Sequence, residues 1–211
     1  MIRFARANEL PSDSPLLRSM YRDRATQFRD RLKWDVTVDD RGEEHDQYDA
    51  LDPLYVIWER EDGLHGGSMR FLPTLGRCMV NEHFLHVTGG RTIRNPGIWE
   101  CTRFCLAPDS KGNVAAALML AGGELMRQLE IEKFVGVFDA RMVRIYSRIG
   151  ASPEVIGSVG EGRDQVSVGL WAFSEPLRER VAQTAGISPA QSQAWSEASP
   201  LAQGLRAPIA A

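Results

Sequence analysis

Residues 99–150 restrict the fold more than any other part of the 211-residue chain. The segment 99–106 follows the turn residues Asn95, Pro96 and Gly97 and reads as a strand. The spacing of Val114, Leu118, Ala121, Leu125 and Leu129 predicts a helix over 113–131. A buried strand follows at 134–138. Asp139 then caps a helix over 140–149, which Gly150 stops. A short apolar run at 54–58 and the segments 68–72 and 166–173 supply further strands. Ser174 and Pro176 open a last helix that reaches residue 185. Strands first, then strands alternating with helices, argue for one mixed sheet with helices on both faces.

The N-terminal half holds the unusual residues. Leu17, Tyr21, Phe28 and Leu32 recur at helical spacing over 15–32, and Arg24 falls on the same apolar stripe. An arginine there usually snorkels from the stripe's edge. The sharper alternative is a buried guanidinium that needs a carboxylate partner or an anionic ligand. Residues 33–53 are polar and carry Asp35, Asp39, Asp40, Glu43, Glu44, Asp46, Asp49 and Asp52. A loop this long in a compact domain is usually functional or disordered, and Trp34 and Tyr48 are placed to dock parts of it. The tail over 186–211, rich in Ala, Ser, Pro and Gln, reads as a weakly ordered or loosely docked extension of a domain spanning 1–185. Trp195 and Leu205 are its candidate anchors.

Several classes are disfavoured by composition. A formal net charge of −3 argues against a general nucleic-acid binder. The three cysteines, Cys78, Cys101 and Cys105, lack metal-ligand spacing and are odd in number, so neither a zinc site nor a disulfide framework is expected. No apolar run has the length of a membrane span, and Arg3, Arg6 and Glu9 do not fit a signal peptide. A cytoplasmic monomer is the expectation.

The order of elements over 105–152 resembles the central part of the GNAT-type acyltransferases. In those enzymes the start of the long helix holds the pyrophosphate of coenzyme A, using its unpaired N–H groups and positive dipole end. The loop Asp109-Ser110-Lys111-Gly112-Asn113 keeps one glycine and one cation where the acetyltransferases carry an Arg and two close glycines. The N-terminal half narrows the resemblance. Arg24, Phe28, Trp34, Asp46, Asp49, Arg70, Glu100 and Arg103 match, in order and in approximate spacing, the signature of the LuxI-type acyl-homoserine-lactone synthases. That resemblance covers roughly residues 1–185 and implies a GNAT-like three-layer α/β/α sandwich with a mixed, mostly antiparallel twisted sheet.

The resemblance also implies a reaction. The α-amine of S-adenosylmethionine attacks the thioester of an acyl-carrier protein or of acyl-CoA. The methionyl carboxylate then displaces 5′-methylthioadenosine and closes the lactone, a quorum-sensing signal. S-adenosylmethionine is a substrate, and no cofactor is expected. Glu100 is the candidate proton acceptor, with Arg103 beside it. Residues three apart on a regular strand face opposite sides, so both reach one cleft only if the strand is irregular near Thr102. Arg24, Phe28, Trp34, Asp46, Asp49 and Arg70 are candidates for binding S-adenosylmethionine or for a structural charge network; the spacing leaves both open. Arg141, Arg144 and Arg148 share one helix face, which is either solvated or a dock for an acidic carrier protein. Some members that make 3-oxo products have a threonine near this strand end. Val137-Phe138-Asp139-Ala140 has none. The competing enzyme reading is a generic GNAT N-acyltransferase using acyl-CoA. A non-enzymatic acyl-binding module on a degenerate GNAT fold is disfavoured by the intact Glu100 and Arg103.

Overall fold

The computed structural model describes residues 1–201. Seven strands among them form one sheet: β1 (Ile2–Arg6), β2 (Leu54–Glu59), β3 (His65–Pro73), β4 (Ile98–Leu106), β5 (Lys133–Asp139), β6 (Glu154–Val159) and β7 (Val166–Ala172). Their order is β1-β2-β3-β4-β5-β7-β6. Every neighbouring pair is antiparallel except β4 and β5. The mixed, mostly antiparallel sheet and GNAT-like layering follow the sequence-based expectation. Two edge strands, β1 and β6, were not anticipated.

Alternation along the strands divides the apolar residues between two faces. Phe4, Leu54, Val56, Phe71, Phe134 and Trp171 pack with the helices α3 (Val114–Gln128), α4 (Ala140–Ile149) and α5 (Glu175–Ala185). Ala5, Tyr55 and Ile57 pack on the opposite face with α1 (Pro15–Ala25). The short helix α2 (Met79–His83) lies against Val135 and Val168 on that second face. Strand β3 is buried along all but its last residue, so its polar side chains must find partners inside the protein. No helix among the described residues is long and apolar enough to cross a membrane.

Two departures from regularity shape the centre. Parallel pairing of β4 with β5 runs only from Ile98–Lys133 to Glu100–Val135. Beyond that point the two strands do not pair, and the sheet is split. On its other side β4 bulges: Thr102 pairs with Arg70 and Cys105 with Ser68, so Arg103 and Phe104 together face Met69. Arg103 has φ +51°, a left-handed conformation costly for a residue with a side chain. This is the irregularity expected near Thr102.

Helix α1 also ends unusually. Its last turn, Thr26–Arg31, widens to a π-helical turn that holds Phe28. Lys33 then turns back at φ +59°, and the Trp34 N–H donates to the Phe28 carbonyl at 2.8 Å.

The expected loose tail is a docked helix over part of its length. Helix α6 (Pro189–Glu197) starts at a Ser188 cap and packs against α3 and β1. Trp195 meets Trp58 edge to face at 6.3 Å, as its anchoring role anticipated, whereas Leu205 lies outside the described residues. Buried Glu124 on α3 accepts from Arg178 on α5 at 2.7 Å, and Arg178 also donates to the Pro189 carbonyl. These bonds tie α3, α5 and α6 together.

Replacing Trp195 with Ala removes a partly buried indole and its aromatic contact. We expect a loss of about 2 kcal/mol and a melting temperature lower by roughly 4–8 °C. An unchanged melting curve would show that α6 adds nothing to stability.

Candidate active site

Arg24 is fully buried, which overturns the snorkelling reading. It lies at the centre of a charge network built from α1, the acidic loop, β3 and β4. Its Nε donates to Glu44 at 2.6 Å, and its two Nη atoms hold both oxygens of Asp49 at 3.0 and 2.9 Å. Arg70, equally buried, grips Asp46 with two bonds of 2.5 and 2.8 Å and reaches Asp49 at 2.7 Å. Arg70 Nε donates to the Thr102 hydroxyl at 3.0 Å. Arg103 closes the network, donating to Glu44 and to Asp46, both at 2.8 Å. Three guanidinium groups thus face three carboxylates. The Tyr55 hydroxyl adds a bond to Asp49 at 2.7 Å.

The electrostatics follow from this pairing. Burial alone would raise the Asp46 and Asp49 carboxyls, but Arg70 acting on the first and Arg24 with Arg70 on the second hold both below the usual carboxylate range. Burial would lower the Arg24 and Arg70 pKa values, yet the facing carboxylates raise both. Asp46, Asp49, Arg24 and Arg70 are therefore each held in the ionised form. Its ion pairs with Arg103 are also what hold the bulged residue in its left-handed conformation.

Glu100 behaves differently. It is buried, and its carboxyl accepts the backbone N–H groups of Met79 and Val80, at 2.9 and 2.5 Å, at the start of α2. Burial outweighs these bonds and pushes the carboxyl up to about 7, a value suited to exchanging protons at neutral pH.

A cavity of about 1080 Å³ passes through the split between β4 and β5. Its two ends differ in character. On the charged side the walls include Phe28, Trp34, Asp46, Thr102 and Arg103. Phe28 and Trp34 stack nearly parallel, 5.2 Å apart and 5° from coplanar, and the Arg103 guanidinium lies 5.3 Å from the Phe28 ring. Trp34 is 45% exposed, so one face of the stack is open to a ligand. On the helical side the walls are Met69, Phe71, Met119, Phe134, Tyr146 and Trp171. Glu100 is not itself a wall residue; its neighbours Met79 and Thr102 are.

All eight signature positions thus border one region: six charged or aromatic residues around the network, Arg103 at the cavity wall, and Glu100 behind it. Sequence reasoning missed Glu44 and Thr102 as members. Arg141, Arg144 and Arg148 lie apart, exposed on α4. Arg141 pairs with Asp139, the residue that caps α4, and also borders the cavity. The loop before α3 is engaged in internal bonds: Asp109 binds Arg60, and the Asn113 side chain donates to the Ala185 carbonyl.

Comparison with known proteins agrees with this architecture. The family model described as autoinducer synthase matches residues 8–181. An acyl-homoserine-lactone synthase of Rhizobium etli is 39% identical over 178 residues, 81% of this chain and 84% of its own. Among solved structures, the CoA-dependent acyl-homoserine lactone synthase MesI superposes with a TM-score of 0.78 at 22% identity, covering 90% of this chain and 98% of its own. The acyl-homoserine lactone synthase LasI does so with a TM-score of 0.75 at 26% identity, covering 87% and 94%.

Replacing Arg24 with Met leaves Glu44 only Arg103 and Asp49 only Arg70 as guanidinium partners, two cations for three carboxylates, and we expect a loss of about 3–5 kcal/mol by denaturant unfolding. Carboxyls with lowered folded pKa values contribute their full stability above about pH 4 and lose it as pH falls through the folded values. The wild type should therefore resist acid to a lower pH than the variant. A loss below 1 kcal/mol would show that the network does not support the fold.

Proposed function

The chain belongs to the autoinducer synthase family, and we propose, from that premise, how its cavity performs the family's chemistry. The enzyme is an acyltransferase, an acyl-homoserine-lactone synthase. It transfers an acyl chain to the amine of S-adenosylmethionine and then lactonises with release of 5′-methylthioadenosine. The observation that carries the mechanism is a single cavity with a charged, aromatic end and an apolar end, meeting where β4 and β5 part.

S-adenosylmethionine occupies the charged end. The open face of the Phe28–Trp34 stack suits adenine or the sulfonium, since aromatic faces attract cations. Arg103 faces the cavity from its bulge and orients the methionyl carboxylate. Asp46, Asp49, Arg24 and Arg70 hold that arginine and the loop in place. The acyl chain lies in the apolar end, which puts the thioester at the split.

There the α-amine attacks the thioester carbon. The tetrahedral oxygen gains negative charge, and N–H groups of β4 and β5 beyond Glu100 and Val135 have no cross-strand partner in this gap, which suits them to stabilise it. The carbonyl reforms as the thiolate leaves. The amine's proton passes to Glu100, directly or through one water. The methionyl carboxylate then attacks its own γ-carbon, made electrophilic by the sulfonium. The carbon–sulfur bond breaks, the lactone closes and 5′-methylthioadenosine departs. This second step needs mainly positioning.

The surface supports a reading of the donor's carrier. Arg144 and Arg148 enter no ion pair among the described residues, and they stand with Arg141 on the exposed face of α4, whose first turn borders the cavity. An acidic acyl-carrier protein fits that stripe, with acyl-CoA as the alternative donor. The enzyme acts as a cytoplasmic monomer without a cofactor, and the 1–185 domain is its catalytic unit.

Incubating the purified protein with S-adenosylmethionine and mixed acyl donors, with products identified by mass spectrometry, tests the reading directly. The proton-acceptor role is tested by Glu100→Gln. The carboxyl is protonated below about pH 7 and cannot then accept a proton, so wild-type kcat/KM should fall about tenfold per unit as pH drops below that value. The variant should be slower by roughly 10²–10⁴ and lose that limb of the profile. Near-normal turnover in a folded variant would remove Glu100 from the reaction.

For the donor, Arg144→Glu combined with Arg148→Glu should raise KM for an acyl-carrier substrate at least about tenfold while sparing a short pantetheine thioester. Equal losses with both would refute docking on this stripe.

A further inference from the structure

Helix α3 presents Met119, Gly122, Gly123 and Met126 to the cavity, a run at i, i+3, i+4 and i+7 that lies along one helical face. Two adjacent glycines in the middle of a helix are costly, each weakening it by about 1 kcal/mol relative to alanine. Such a cost is normally forced by close packing, as elsewhere in this protein. A Cβ on Gly67 would come within 2.9 Å of both Leu106 and Val114, and one on Gly169 within 2.7 Å of Pro153. The α3 pair is under no such pressure. A Cβ on Gly122 would meet Met69 at 3.5 Å and Phe134 at 3.6 Å, and one on Gly123 would meet Phe173 at 3.5 Å, all ordinary contacts. Neither glycine has a positive φ. Packing and backbone geometry would both accept alanine. What alanine would take away is space, because every side chain it would touch is itself a cavity wall.

We infer that Gly122 and Gly123 determine which acyl chains the enzyme accepts, by keeping open a groove along α3 that admits long chains. The inference rests on the apolar end of the cavity being the acyl site. From Met119 to Met126 the helix advances about 10 Å at 1.5 Å per residue. The missing side chains leave a trough along that face, about a methyl group deep before Met69, Phe134 and Phe173 are met, with an unbranched, adaptable methionine at each end. Helix stability is given up for cavity length. A hexanoyl chain would leave much of the trough unfilled, whereas a dodecanoyl chain would run along it.

The test uses the full chain with S-adenosylmethionine and an equimolar mixture of hexanoyl and dodecanoyl donors, reading both lactones by mass spectrometry. The variants are Gly122→Ala, Gly123→Ala and Gly123→Leu, each also followed by thermal unfolding. The wild type should favour dodecanoyl. The alanine variants should shift the product ratio toward hexanoyl at least about fivefold while melting about 2–4 °C higher, because alanine is the better helix former. The leucine variant should shift the ratio further. An unchanged ratio, or equal loss of both products, overturns the inference while the function stands. A lower melting temperature in the alanine variants overturns it too, by showing that packing requires the glycines. A wild type that makes neither lactone refutes the functional reading itself, and the inference with it.

Discussion

The structure depends on pairing three guanidinium groups, two of them fully buried, with three carboxylates. Arg24, Arg70 and Arg103 come from a helix and two strands, whereas Glu44, Asp46 and Asp49 come from one loop. The pairing solves a problem that an acidic segment creates. A loop with so many carboxylates cannot cover a sheet by apolar burial. It can do so if its charges are matched inside, since breaking such a network leaves an uncompensated buried charge. The loop, the bulge in β4 and the charged end of the cavity therefore stand or fall together.

Much of this was legible in the sequence because the chemistry was unusual at defined positions. The long helix, the capped helix after Asp139 and the central strands announced themselves by period and by cap residues. Even the bulge followed from wanting Glu100 and Arg103 on one cleft. The misses have physical causes. Strand β1 has five residues, two of them arginines, and its inward Ile2 and Phe4 are too few to establish a pattern. Strand β6 sits at the far edge, largely exposed and interrupted by Gly157, so it has little apolar signal. Glu44 is one of eight carboxylates in its loop, and only the folded chain singles it out by bringing Arg24 and Arg103 to it. Arg24 taught the converse lesson: an apolar stripe cannot say whether its one cation faces water or a buried partner.

The short parallel pairing of β4 with β5 turns the sheet from a barrier into a passage. An intact sheet would separate the network from the helical layer. The split joins them, so that one ligand bound among charges and another bound among apolar side chains meet in the plane of the strands. Glu100 and Val135, the last paired residues, mark where that passage begins. Glu100 thus stands at the junction of two environments, held by the first N–H groups of α2.

The bulge at Arg103 also bears on how such a protein can change over time. The bulge lets Thr102 and Cys105 share one face of the sheet although they stand three apart, because Arg103 and Phe104 together oppose Met69; loss of Arg103 would restore regular pairing and leave every flanking residue on its present face. What such a loss would remove is the guanidinium that joins Glu44 to Asp46 at the cavity wall. Single substitutions around the cavity can adjust it gradually, but a one-residue deletion at the bulge would take from Glu44 and Asp46 the partner they share. Descendants of this sequence should therefore vary freely in the walls while keeping the residue count of this strand fixed.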